Sequence, residues 1–299
     1  MTSQLINAVL LGGYYAILAT GLAFMYSVMN IINLAHGALI VLAAYGIWLL
    51  GETMGLPLPV GIVIMAIALF ALGMALHGLV LARASAGGEL LPILATFGLS
   101  IILDNLLFQT FGADSLSLAP MVGDLSWASF ELPGFIFIGK LSVYILLASI
   151  LLIAGLEWML RHTGLGHRIQ AVSQDRATAS LLGIDAGRTA AIATGIALAT
   201  GAIAAAAMGL RSAWGPYGGS AQLLFAFEVV VIGGLGSLWR VMAGAMVLAF
   251  AQSLASMIHP QGFLIGGHLA FLTAVFLRLH GSSWNLKSLL ARKRKEAPQ

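Results

Sequence analysis

The 299-residue chain contains no cysteine, so structural disulfides and thiolate metal sites are excluded. Charge is almost as scarce. Charged residues make up 8% of the chain, hydrophobic residues 60%, and mean hydropathy is +0.99. An ordinary globular domain carries roughly 25% charged residues. So few charges cannot cover the surface of a soluble chain of this length, so lipid must cover much of it. Catalytic signatures are missing too. No Gly-x-x-x-x-Gly-Lys-Ser/Thr loop occurs, nor Gly-x-Ser-x-Gly, nor His-Glu-x-x-His. A self-contained ATPase is therefore excluded, and no catalytic residues are assigned. The 7 histidines are scattered, with 77, 162, 167 and 280 at segment ends and no pair at ligand spacing, so no metal site is expected. No nucleic-acid partner is expected either.

What remains is apolar and segmented. Spanning the ~30 Å hydrocarbon core takes about 20 apolar residues as a helix. Candidate segments are 5–27, 31–50, 57–81, 91–111, 138–160, 189–210, 221–235, 239–258 and 263–280. No basic residue precedes Leu5, unlike a cleavable leader, so 5–27 is expected to be a retained first helix. Two segments are weak: 31–50 opens on Asn30, Asn33 and His36, and 221–235 is short and glycine-ended. Either is expected to be broken or re-entrant, which is tolerated where backbone is buried in protein. The expectation is an all-α polytopic transmembrane helical bundle of eight or nine segments, with at least one broken or re-entrant helix. Residues 1–280 form one membrane domain and 281–299 a basic tail.

Charge placement orients the bundle. With nine crossings and the N-terminus outside, Lys140 and Arg211 alone of the 14 Lys and Arg residues fall outside. The longest outer loop, 112–137, carries Asp114, Asp124 and Glu131 and no base. The C-terminal tail, with Arg292-Lys-Arg-Lys295, is then cytoplasmic, where attraction to anionic lipid headgroups adds ~1 kcal/mol per residue.

The inner loop 161–188 holds a candidate short amphipathic helix, with Ser173 as N-cap and Gly183 as C-terminal stop. Ala177, Leu181 and Ile184 recur as one apolar face, with Gln174, Asp175 and Thr178 elsewhere. Small-faced and nearly neutral, it suits a groove of another protein better than a membrane surface. An ordinary connector has the same spacing.

Polar groups at membrane depth are costly and mark pathways or helix breaks. Asn33 and His36, at i and i+3 with Gly37 following, are expected on one helix face, lining a path or capping a break. Asp104 and Asn105 lie mid-segment, and Asp104 is expected to face the bundle interior, paired or protonated. Glu228 poses the same question. The run Val229-Val-Val-Ile-Gly-Gly-Leu-Gly-Ser237 places Gly233, Gly234 and Gly236 in a turn or hinge. The Ala/Gly-rich run 197–209 reads as close helix packing through small residues.

Three of these stretches also resemble a known family. Gly21-Leu-Ala-Phe-Met-Tyr-Ser-Val-Met-Asn-Ile-Ile-Asn-Leu-Ala-His-Gly37, Ala171-Val-Ser-Gln-Asp-Arg-Ala-Thr-Ala-Ser-Leu-Leu-Gly-Ile184 and Val229–Ser237 are similar, in order and spacing, to signatures of the shorter permeases of branched-chain amino acid ABC importers. The resemblance implies a heteromeric importer in a bacterial-type inner membrane. Two permease chains would form the pathway, two cytoplasmic ATP-binding subunits would drive it, and an external solute-binding protein would deliver substrate. ATP would bind those partners, and this chain would hold no cofactor. Residues 173–184 would be the coupling helix, with Ser173, Asp175, Arg176, Ala177, Ser180, Leu181, Leu182 and Gly183 meeting the ATPase. Leu34 stands where the family often has Phe, Ala38 where it often has Glu, and Glu228 where a less acidic residue is expected. Relatives of the family also carry urea, short amides and aromatic acids. A stand-alone ion-coupled carrier using Asp104 or Glu228 is the contrasting class.

Overall fold

In lipid every backbone N–H and C=O must find a partner within the protein, and the helix supplies these locally. A computed structural model of the chain describes residues 2–88, 90–132, 136–234, 237–259 and 261–281. The basic tail and Gly236 lie outside the described residues. Nine helices among the described residues are long and apolar enough to cross a membrane, as the sequence pattern predicts.

In chain order the helices are α1 (Thr2–Met29), α2 (His36–Met54), α3 (Leu58–Leu76), α4 (Ala82–Ala86), α5 (Leu90–Phe111), α6 (Lys140–His162), α7 (Gly164–Gln174), α8 (Arg176–Leu181), α9 (Ala186–Arg211), α10 (Gly219–Gly233), α11 (Leu238–Ser256) and α12 (Gly262–Gly281). A π-helical turn, His77–Leu81, joins α3 to α4 within one span. His77 therefore lies buried within a span rather than at its end. The long loop also contains a small antiparallel strand pair, β1 (Ser129–Leu132) with β2 (Ile136–Gly139).

α1 and α9 form the centre, and α3, α5, α6 and α12 present much of their surface outward. The small-residue run of α9 is buried along its length, as expected. A Cβ on Gly73 of α3 would lie 2.8 Å from the Gly195 Cα of α9, so the two backbones touch.

Charge divides the two ends. Arg83, Arg161, Arg168, Arg176 and Arg188 lie at one end with the α10–α11 turn, while Lys140, Arg211 and the 112–139 loop lie at the other. The loop at the second end is tied to the bundle by Leu118 N–H donating to the Gly209 carbonyl (2.8 Å) and by the Leu116–Trp214 bridge.

The second helix starts later than its apolar pattern suggests. α1 ends at Asn30, whose left-handed backbone (φ 53°) stops the helix at the basic end. Five residues, 31–35, then return into the bundle before α2 begins at His36. The His36 ring sits 2.9 Å from the Leu18 carbonyl, level with the middle of α1. From there α2 runs to the other end, where Tyr45 stacks on Phe111 and Gly51 meets Met121. α10 also starts inside the bundle and runs the opposite way, ending beside Arg240 and Arg278. The two N-termini abut: a Cβ on Gly37 would fall 1.9 Å from the Gly219 carbonyl oxygen.

Candidate functional site

Residues 161–188 at the basic end fold into two helices rather than one. Thr163 caps α7, its hydroxyl accepting from the Gly166 N–H at 3.0 Å, and Gln170 ties α7 to α6 through the Leu160 carbonyl at 3.0 Å. α7 runs on through Ser173, so Ser173 is not the cap expected of it. Asp175 takes that role for α8: one carboxylate oxygen accepts from the Ala177 and Thr178 amides at 2.9 and 3.1 Å, and the other from the Thr178 hydroxyl. The Thr178 hydroxyl, followed by the Thr178 and Ala177 amides, holds the Asp175 carboxyl below the usual carboxylate range. Gly183 stops α8 with φ 80°, a backbone open to glycine at little cost.

The apolar face of this segment also differs from the expected one. Ala179 is the residue of α8 turned inward, packing with Val172 and Ala186, and Ile184 joins it. Ala177, Ser180, Leu181 and Leu182 point out, with Leu181 and Leu182 88% and 75% exposed. Arg176 is exposed as well. Burying one such exposed leucine side chain contributes about 2 kcal/mol.

Between α7 and the α10–α11 turn lies a cavity of about 400 Å³, lined in part by Ala23, Ser27, Glu157, Gln170, Ser173 and Ser237. Gly234 closes α10 with φ 79° beneath the Arg278 guanidinium, and a Cβ on Gly233 would lie 2.3 Å from the Arg240 carbonyl oxygen. Both glycines are thus required by the turn. The cavity beside them separates this part of α7 from α1 and α11.

Asn33 and His36 do not share a helix face, because Asn33 precedes the helix. The Asn33 side-chain oxygen accepts from the Ala35 amide at 3.0 Å, and its backbone oxygen from the His36 amide at 3.2 Å. Thr96 of α5 accepts from the Leu34 amide at 3.0 Å. His36 must be protonated on Nε2 to donate to the Leu18 carbonyl. Both residues are buried and bond backbone groups at or near the break, while Asn33 Nδ2 has no hydrogen-bond partner among the described residues.

The intramembrane acids separate. Glu228 is buried and paired: His268 Nδ1 of α12 lies 2.5 Å from its Oε1. Its Oε2 is buried with no hydrogen-bond partner among the described residues. Asp104 is only half-buried on outward-facing α5, and its Oδ1 likewise has no hydrogen-bond partner among the described residues. The expected interior placement is therefore incomplete, since α5 packs on α2 along a narrow strip. Asn105 is exposed and bonds its own helix at the Ile101 carbonyl, 2.8 Å away.

His268 is the residue the sequence reading passed over. It stands inside an apolar run, and the depth criterion that singled out Asp104 and Glu228 applies to it equally. Tyr15 and Gln252, joined at 2.6 Å inside the bundle, were passed over for the same reason.

Comparison with known proteins finds related sequences. Residues 4–278 match the family model described as branched-chain amino acid transport system / permease component. The chain is similar to the high-affinity branched-chain amino acid transport system permease protein LivH of Escherichia coli K12, at 27% identity over 263 residues and 85% of each chain. It is 25% identical to the permease protein BraD of Pseudomonas aeruginosa over 266 residues, again 85% of each. The probable branched-chain amino acid transport permease protein LivH of Methanocaldococcus jannaschii is 25% identical over 290 residues, 91% of this chain and 88% of the relative. No solved structure matches the chain at a significant level.

Proposed function

The chain belongs to the family of permease components of branched-chain amino acid transport systems, and from that premise we propose that it is the membrane-spanning subunit of an ATP-driven importer for branched-chain or other hydrophobic amino acids. Hydrolysis is the work of two separate ATP-binding subunits at the basic, cytoplasmic end, the cytoplasmic tail included. A second permease chain completes the pathway, and a solute-binding protein delivers substrate at the opposite, external end, where the N-terminus lies. The membrane is the bacterial inner membrane.

The observation that carries this reading is α8: a capped six-residue helix at the basic end, displaying Leu181 and Leu182 to solvent. Ala179 roots it against α7 and α9, and α9 packs along α1 and α3. Closure of the ATPase pair would pull α8, and α7 would turn into the adjoining cavity. The bundle then rocks between outward- and inward-facing states.

The chain has no native cysteine, so a single cysteine at Ser180, which is exposed on α8, reports this contact directly. Cross-linking of Ser180→Cys to co-expressed ATPase subunits, changing on addition of ATP, is the expected result. A folded protein that neither cross-links nor co-purifies with them would remove the coupling assignment. The Glu228–His268 pair is the one feature favouring an ion-coupled carrier that works alone. Uptake abolished by a protonophore at constant ATP would establish that class instead.

A further inference from the structure

An ionisable side chain at membrane depth faces the bundle interior or a water-filled space, because hydrocarbon solvates it poorly. His268 meets this requirement only at its Nδ1 edge, which is turned to Glu228. It stands in the middle third of α12, its side chain 44% exposed on the outside of the bundle. Its partner Glu228 belongs to a stripe on α10 at helical spacing: Ser220, Leu224, Glu228. Ser220 and Leu224 are exposed, and Tyr217, one turn earlier, is half-exposed. The stripe therefore looks out of the chain until His268 covers its last member.

The opposite flank of the stripe is polar as well. Phe108 of α5 packs on Tyr217, with ring centroids 5.6 Å apart, so this side of α5 faces the start of α10. Asp104 lies one turn away on the same side. Asp104 and Glu228 each keep one buried carboxylate oxygen without a hydrogen-bond partner among the described residues. Neither α5 nor α10 contains a Lys or Arg. Half-buried Asp104, the covered Glu228 behind His268, and apolar Leu224 and Phe108 give this face an acidic lining that favours an amine carrying an apolar side chain. It does not favour a carboxylate.

We propose that the outward face of α10 around Leu224, flanked by Asp104 of α5 and by the Glu228–His268 pair, lines the solute path and takes the solute's ammonium group. The proposal rests on the importer reading above, in which the path runs between two permease chains, and it assigns the side of this chain that faces the path.

The absence of native cysteine makes the test clean. Single cysteines at Leu224 and at Ile102, which is exposed on the far side of α5, are compared in membranes holding the co-expressed transporter. Leu224→Cys is expected to react with a cationic methanethiosulfonate at least about tenfold faster than with an anionic one, by electrostatic focusing. Ile102→Cys is expected to react with neither. Adding Asp104→Asn or Glu228→Gln should shrink the cation preference; either variant serves if the other fails to assemble. A Leu224→Cys that is inert in the membrane and reactive once unfolded would overturn the path assignment. Reaction without charge preference, or with the anionic reagent preferred, would overturn the ammonium assignment. Co-purification of the ATPase subunits is scored on the same membranes. Lost co-purification with labelling intact sinks the importer reading and leaves only a cation-selective accessible face, whereas retained co-purification with inert Leu224→Cys sinks the path alone.

Discussion

At Gly37 and Gly219 two helix N-termini come within backbone contact, and no side chain can yield to make room. A Cβ on Gly37 would sit 1.9 Å from the Gly219 carbonyl oxygen, and one on Gly219 would sit 2.6 Å from the Ala38 nitrogen. Gly37→Ala must force the crossing apart, and overpacking of this kind costs about 1–3 kcal/mol. The expected result is a clear fall in the thermal midpoint of the detergent-purified protein. Gly98→Ala on α5, where nothing lies within 4 Å, should leave it unchanged or slightly raised. Asp175 gives a second residue-scale outcome. Its carboxyl titrates below the ordinary range because the charged form caps α8. The cap's contribution is thus complete above the ordinary carboxylate pKa and is lost as pH falls through the depressed one. A spin label at Leu182 should be ordered at neutral pH and loosen only in strong acid, whereas in Asp175→Ala it should be mobile throughout.

For the proposed coupling element, exposure separates function from stability. Leu181 and Ala177 are exposed, and Ala179 alone of α8 is buried. Leu181→Asp and Ala177→Arg should therefore leave stability within about 0.5 kcal/mol while abolishing uptake and ATPase retention. Ala179→Asp should destabilise the loop itself. Normal uptake by the first two variants would show that the ATPase docks elsewhere. The sequence located this element and its glycine stop but named the wrong cap. Ser173 and Asp175 are both good N-cap types. The choice fell to Asp175 because α7, held by Thr163 and Gln170, continues through Ser173. That hold comes from the end of α6, ten residues before Gln170, and depends on how α7 folds back against it rather than on cap preference.

On the scale of the whole molecule, the charge split between the ends predicts orientation. Trp127, 83% exposed in the 112–139 loop, and Leu182 sit at opposite ends. Trp127→Cys should react with an impermeant thiol reagent on intact cells, and Leu182→Cys only after the membrane is opened. The reverse pattern would invert the bundle and place α8 where no ATPase can reach it.

The existence of the spanning helices, the charge asymmetry, the break near Asn30–His36 and the glycine turn were all legible in the sequence, which left the number of spans at eight or nine. Lipid forces each spanning segment to satisfy its own backbone, so local composition suffices to reveal it. Partners are another matter. That His36 reaches the Leu18 carbonyl, that Glu228 meets His268 across 40 residues, and that Leu181 points out while Ile184 turns in depended on which helices pack together. An apolar run carries almost no information about which of its faces meets protein, because lipid and a neighbouring helix are equally apolar. Only tertiary packing selects the face, and with it the polar groups left looking outward.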